Sequence, residues 1–126
     1  MTEQARAVHT LLVVDDQPEF VQLTRLRLGR APGLAVVGEA GSGEALLALL
    51  RKLDPPPEAV LLDVEMPGMD GFETARRLRG LAPGLRIILT SASDARGYTS
   101  LAERLGVAFL PKRSLSPEAI LRLLES

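Results

Sequence analysis

The chain has no cysteine and only one histidine. Disulfides and thiolate metal sites are therefore excluded, and the redox compartment is left open. No apolar run approaches the roughly 20 residues that a bilayer-spanning helix needs. The segment from Met1 to His9 is short and polar and lacks the apolar stretch of a secretory signal. A strong charge of either sign is missing as well. With a net charge of −1, bulk electrostatics give no case for nucleic acid or an anionic membrane as a direct partner. A cytoplasmic location is the default expectation, with residues 1–9 as a disordered N-terminal extension. Lysine is scarce too. Among 15 lysines and arginines only Lys52 and Lys112 are lysines, so each stands out from the background. There is no internal repeat and no low-complexity tail.

What is present describes one globular domain. The 126 residues, 46% hydrophobic and 25% charged, suffice for a single core and hardly for two. Thr10 to Val14 and Ala59 to Leu62 are short unbroken apolar runs, the pattern of strands buried on both faces of a parallel sheet. Each stops at acid: Asp15-Asp16 after the first, Asp63 after the second. Leu34 to Val37, Arg86 to Leu89 and Val107 to Leu110 are read as three further strands. Helices are expected between them. One starts near Pro18, with Phe20, Leu23, Leu26 and Leu28 at roughly helical spacing. A second covers Glu44 to Leu53 behind Ser42. A third covers Phe72 to Leu81, with Asp70 as N-cap and Glu73 completing a capping box. A weaker one lies between Asp94 and Leu105, and a last one starts at Ser116-Pro117. Arg76, Arg77 and Arg79 form a basic, solvated helix face. Gly41-Ser42-Gly43 lacks the Gly-Lys-Ser/Thr ending of a phosphate loop.

Five strands alternating with five helices predict an α/β fold, a single flavodoxin-like (βα)5 domain. The sheet order expected is 2-1-3-4-5, with the ligand site at the carboxyl ends of strands 1 and 3. In that order strands 1 and 3 are neighbours, about 4.8 Å apart, and Asp15, Asp16 and Asp63 converge. Three carboxylates so close repel one another, so they either protonate or share a cation. Oxygen-only ligands favour a hard ion such as Mg²⁺. Strands 4 and 5 end on the same edge, which brings up Thr90, a hydroxyl, and Lys112, a compact cation. The set looks like a cradle for a phosphoryl group, with Asp63 as nucleophile.

These motifs resemble the receiver domain of a two-component response regulator, over His9 to Leu124. They are Asp15-Asp16, the run Asp63-Val-Glu-Met-Pro-Gly-Met-Asp-Gly, Thr90 and Lys112, in that order. The resemblance implies that Asp63 accepts the phosphoryl group from a sensor histidine kinase or phosphotransfer protein. It implies Mg²⁺ (or Mn²⁺) on Asp16, Asp63 and the Glu65 carbonyl, with Asp15 acting mainly through water. Thr90 would turn its hydroxyl to the phosphoryl group, Lys112 would pair with it, and Phe109 would follow as the aromatic switch. Backbone amides of Val64 and Ser91 would complete the cradle. A homodimer on phosphorylation is a further expectation. Val37-Gly-Glu-Ala-Gly and Phe109-Leu-Pro-Lys resemble regulators that continue into a LuxR-type helix-turn-helix output domain. His9 lies outside every matched motif and is expected to precede the first strand.

Three features depart from the family pattern. Pro111 precedes Lys112 and Arg113 follows it, so a trans bond and a different start to the last helix are expected. Glu65 and Ala92, two residues beyond Asp63 and Thr90, should tune the lifetime of an acyl phosphate. The chain also stops where the last helix would end, which suits a stand-alone receiver or one arm of a longer regulator. Two other functions share these residues. One is an aspartate-nucleophile phosphohydrolase, for which 126 residues leave no room for a substrate cap. The other is a binding module that works without phosphorylation, against which the intact acid, hydroxyl and lysine set speaks. No enzymatic turnover on other substrates is expected.

Overall fold

A computed structural model describes residues 8–93 and 97–126. Its five strands are β1 (His9–Val14), β2 (Leu34–Ala40), β3 (Ala59–Asp63), β4 (Arg86–Ser91) and β5 (Ala108–Pro111). The helices between and after them are α1 (Pro18–Gly29), α2 (Gly43–Leu50), α3 (Gly71–Leu81), α4 (Tyr98–Leu105) and α5 (Pro117–Glu125). All strand pairs are parallel, in the order β2-β1-β3-β4-β5. This is the flavodoxin-like order that the alternation predicts.

Period-2 alternation divides the apolar strand residues between two cores. Leu12, Val14, Val60, Leu62 and Leu89 face Leu46 of α2, Ala75 and Leu78 of α3 and Ala102 of α4. Leu11, Leu61 and Ile88 face the other way, against Leu28 of α1 and Ile120 and Leu124 of α5. Both faces are covered, so every strand ends at an edge of the sheet, where polar groups collect.

The helix starts are chemically marked. Ser42, Asp70 and Ser116 each accept a hydrogen bond from the backbone N–H three residues on, and such a cap contributes about 1 kcal/mol. Several expectations need correction. Glu73 does not complete a capping box: its carboxylate reaches forward to Arg76 at 3.0 Å and Arg77 at 3.1 Å, pairs offered at helical spacing on the same face. Arg79 leaves that face and donates to the carbonyl of Leu105 at the end of α4. On α1 the buried stripe is Val21, Thr24 and Leu28, whereas Leu23 and Leu26 are 60% and 56% exposed. The true stripe follows i, i+3, i+7 from Val21, and Phe20 lies on its flank, half-buried.

β2 runs on to Ala40 because a register shift between Leu11 and Leu12 lets Gly38, Glu39 and Ala40 pair with Leu12, Val13 and Val14. α2 stops at Leu50 rather than Leu53. β5 starts one residue later than expected, at Ala108. β1 includes His9, which lies inside the span expected as an extension; residues 1–7 of that span are outside the described residues. The expected start of the fourth helix at Asp94 is also outside them. Asp54–Pro55 is the only cis bond among the described residues, so the bond that follows Lys112 is trans, as expected. A 3₁₀ turn over Lys112–Ser114 separates β5 from α5. No helix of the described residues is long and apolar enough to cross a membrane.

Candidate functional site

The carboxyl ends of β1, β3, β4 and β5 meet at one rim. β3 is buried throughout, so Asp63 is delivered to its tip only 3% exposed. Beyond it the chain must turn at once. Gly68 supplies a φ of 77°, a left-handed conformation that glycine adopts at no steric cost. Gly71 then opens α3 pressed against the Asp63–Val64 backbone, its N–H donating to the Val64 carbonyl at 2.9 Å. A Cβ at that position would come within 2.7 Å of Val64 Cα. Glycine at residue 71 is therefore a condition for the strand tip and the helix to meet.

Asp15 and Asp16 follow β1, the neighbour of β3. Asp15 is buried and Asp16 exposed, and one oxygen from each of Asp15, Asp16 and Asp63 lies within 4.8 Å of the others. This cluster could hold a metal ion. Asp15 Oδ1 accepts from the Gln17 N–H at 3.0 Å, an Asx turn that leads the chain into α1. Its Oδ2 faces Lys112 Nζ at 2.7 Å. Asp63 Oδ1 is buried with no hydrogen-bond donor among the described residues, and Lys112 Nζ stands 3.8 Å away.

A buried carboxylate oxygen without a donor is costly, and the electrostatics record it. Burial pushes the Asp63 carboxyl up to about 6, the Asp15 charge adds to this, and Lys112 and a backbone hydrogen bond from Glu65 oppose it. A divalent cation would meet both needs, supplying charge to the acids and a partner to the orphan oxygen. The donor set is all oxygen, the chemistry of hard ions. A cleft of about 210 Å³ gives access beside Asp15 and Asp16, bounded by Glu39 and Gly41.

Thr90 pairs with Asp63 across the β3–β4 ladder, yet its hydroxyl is turned away from that carboxylate. It donates to the Leu110 carbonyl of β5 at 2.6 Å. The Val64 N–H, expected to face a phosphoryl group, donates instead to the Thr90 carbonyl at 2.8 Å: one more rung of the ladder satisfies it. Ser91 is buried, and its hydroxyl donates to Glu65 Oε1 at 2.9 Å. Glu65 Oε2 accepts from the Tyr98 hydroxyl at 3.3 Å. Burial, with the Glu65 charge second, pushes the Tyr98 phenol above its ordinary value. The Tyr98 ring lies edge-on between Phe72, 5.4 Å between centroids, and Phe109, 5.9 Å.

The structure thus brings together Asp15, Asp16, Asp63 and Lys112, and holds Thr90, Ser91 and Glu65 at the adjoining strand ends. Phe109 lies one step out, joined to this rim through Tyr98. Sequence reasoning missed Tyr98 and Phe20. Nothing in the periodicity marks Tyr98, because its partners Glu65 and Phe109 are remote along the chain. Phe20 sits four residues after Asp16, on the first turn of a helix that starts at the rim. That spacing is the signal that could flag it, although helical periodicity alone places it in the apolar stripe.

The profile of the response regulator receiver domain matches residues 11–125. The nitrate/nitrite response regulator protein NarL of Escherichia coli (strain K12) is 35% identical over 115 residues, 91% of this chain and 52% of that protein. The chain therefore spans about half the length of such curated relatives. Among solved structures, the signal receiver domain of the putative response regulator NarL from Mycobacterium tuberculosis superposes with a TM-score of 0.83. It is 32% identical, covering 95% of this chain and 98% of that one. The isolated REC domain of RcsB from Salmonella enterica serovar Typhimurium, in the presence of phosphomimetic BeF3-, gives a TM-score of 0.83. It is 25% identical, with 94% and 90% covered.

Proposed function

The chain belongs to the response regulator receiver domains, phosphorylation-controlled switches, and from that premise we propose that Asp63 is its phosphoacceptor. The observation that carries this reading is Asp63 Oδ1: buried, without a donor among the described residues, beside two further acids and 3.8 Å from an ammonium. With a carboxyl near 6, Asp63 is ionised and nucleophilic at neutral pH even before a cation lowers it. Its oxygen attacks phosphorus. The bond from phosphorus to the donor's imidazole nitrogen breaks, that nitrogen keeps the electron pair, and an acyl phosphate forms on Asp63.

Asp15, Asp16, Asp63 and the Glu65 carbonyl would hold Mg²⁺ or Mn²⁺. When bound, the ion offsets the negative charge gathering on the phosphoryl oxygens. Lys112 shifts from Asp15 toward the new oxygens, and Thr90 releases the Leu110 carbonyl to donate to them. The Val64 N–H must likewise give up or share its bond to the Thr90 carbonyl, and the Ser91 amide would complete the cradle. The acyl phosphate brings about −1.5 to −2 charges to the rim. Moving a two-state equilibrium from 1:99 to 99:1 takes about 5.5 kcal/mol, a magnitude within reach of several charge-assisted hydrogen bonds. With Thr90 displaced, Phe109 follows, and the surface of α4, β5 and α5 changes shape.

The phosphoryl donor is a histidine kinase or a histidine phosphotransfer protein, in the cytoplasm. The altered surface acts on a partner, on a second copy of the chain, or on a DNA-binding output domain of the kind that longer LuxR-type relatives carry. The domain itself, with a net charge of −1, makes no direct nucleic acid contact. Incubation with acetyl phosphate and Mg²⁺, followed by mass measurement, tests the reading. One added phosphoryl group per chain, absent in Asp63→Asn, is expected. Many turnovers of phosphate esters per chain would replace the switch by a hydrolase, and no adduct from acetyl phosphate or a phosphorylated kinase would overturn it.

A further inference from the structure

Phe20 has no role in the chemistry described so far, yet Lys112 Nζ rests on its ring face, 4.0 Å from the centroid. The lysine side chain is only 14% exposed, so few waters reach it. On one side the ammonium meets Asp15 Oδ2 at 2.7 Å and Asp63 Oδ1 at 3.8 Å. The aromatic ring occupies another.

The face of a benzene ring attracts a cation through its quadrupole, without a localised charge or a fixed hydrogen-bond direction. A carboxylate in the same place would compete with the acids for Lys112, and an aliphatic side chain would leave that side of the ammonium without an electrostatic partner. A ring holds the amine at the rim while leaving its three N–H donors free to re-aim. The two groups are also kept at a set separation. Phe20 lies on the first turn of α1, and Lys112 opens the turn after β5. Arg27 of α1 donates to the Leu115 carbonyl just beyond that turn at 3.1 Å. Thr24, Leu28 and Leu115 pack around Phe20 and the lysine, leaving a cavity of only about 20 Å³.

We propose that Phe20 is a positioning residue for phosphoryl transfer: its ring carries the Lys112 ammonium beside Asp15, charged and mobile, within one short step of a phosphoryl group on Asp63. The inference rests on the roles proposed for Asp63 and Lys112.

The test compares the wild type with Phe20→Leu, which keeps apolar bulk but loses the ring face, and Phe20→Tyr, which keeps it. Phosphorylation by acetyl phosphate in Mg²⁺ should slow about three- to tenfold in Phe20→Leu, the range a partly desolvated cation–π contact covers, and Phe20→Tyr should restore the rate. Mg²⁺ affinity should stay the same in all three. A purely structural role would persist when the lysine is gone, so the Phe20→Leu effect is measured again in a Lys112→Ala background, where it should vanish. A second readout needs no phosphorylation: the Lys112 ε-methylene protons should show an upfield ring-current shift in the wild type and Phe20→Tyr, lost in Phe20→Leu.

If the wild type takes up no phosphoryl group, the proposed function fails and this inference fails with it. If the wild type is phosphorylated and Phe20→Leu keeps its rate, the inference fails alone. It also fails if the Phe20→Leu loss is the same with and without Lys112, or if the ring-current shift is absent from the wild type.

Discussion

Asp63→Asn should stabilise this domain when no divalent ion is present, and should do so far more at pH 7.5 than at pH 4.5. Burial first, and the Asp15 charge second, raise the carboxyl from 3.8 to about 6. Between those values the folded chain holds a proton that the unfolded chain has lost. Unfolding therefore releases protons, and stability falls as pH rises through the window. The penalty is complete above pH 6 and absent below pH 3.8. For one group with these two values, linkage gives a penalty of about 3 kcal/mol at pH 7.5 and about 1 kcal/mol at pH 4.5. Asparagine carries no charge and escapes both. Urea unfolding of the two proteins in EDTA, at each pH, isolates the difference because the other titrating groups are common to both. Adding Mg²⁺ at pH 7.5 should then raise the midpoint of the wild type and barely move the variant. An Asp63→Asn protein no more stable than the wild type at pH 7.5, or equally stabilised at both pH values, would refute the picture of Asp63 as a strained, uncompensated charge.

Other measurements probe the surroundings. Gly71→Ala would drive a Cβ into the Asp63 carbonyl and the Val64 Cα; overpacking of this kind costs about 1–3 kcal/mol, measurable by thermal unfolding, and Mg²⁺ binding should weaken along with stability because the displaced backbone carries Asp63. Glu65→Gln removes the second cause that holds the Tyr98 phenol high. Absorbance titration should show the phenolate forming above pH 10 in the wild type and at lower pH in the variant, still above the free value because burial persists. His9 bonds to Glu58 at 2.8 Å and Glu125 at 3.3 Å, and the Glu58 bond first of all raises it above 6.5. Its contribution to stability should be whole below pH 6.5 and disappear as pH rises through the raised value. Proton NMR of this single imidazole against pH, with His9→Gln as the flat control, checks both sign and window.

The parts of this fold that short-range chemistry decides could be read from the chain. Apolar runs broken by Asp15, Asp63 and Thr90 gave the strand tips, and side-chain caps at Ser42, Asp70 and Ser116 marked helix starts. Alternation then implied the parallel order, which placed Asp15, Asp16, Asp63 and Lys112 on one rim. Choices among equivalent partners could not be read. Glu73 had both a backbone amide and two arginines in reach, and the arginines won. Thr90 could face Asp63 or the Leu110 carbonyl, and a neutral acceptor across the ladder outcompetes a crowded acid. The stripe on α1 was misplaced because Leu23 and Leu26 are apolar yet exposed, while polar Thr24 is buried. The ties from Glu65 to Ser91 and Tyr98 span 26 and 33 residues, beyond anything that local spacing encodes.

Tyr98 is the one tyrosine in a chain that has no tryptophan, and it lies between Phe72 and Phe109 with its hydroxyl on Glu65. Ultraviolet emission from this domain therefore comes essentially from a single fluorophore, seated between the acidic rim and the aromatic ring expected to move. A neighbouring carboxylate that accepts a phenol proton is an efficient quencher of tyrosine light. Brightness in the unlabelled protein consequently reads the distance between Glu65 and Tyr98, and a stopped-flow trace can follow the rim and α4 parting without any dye attached.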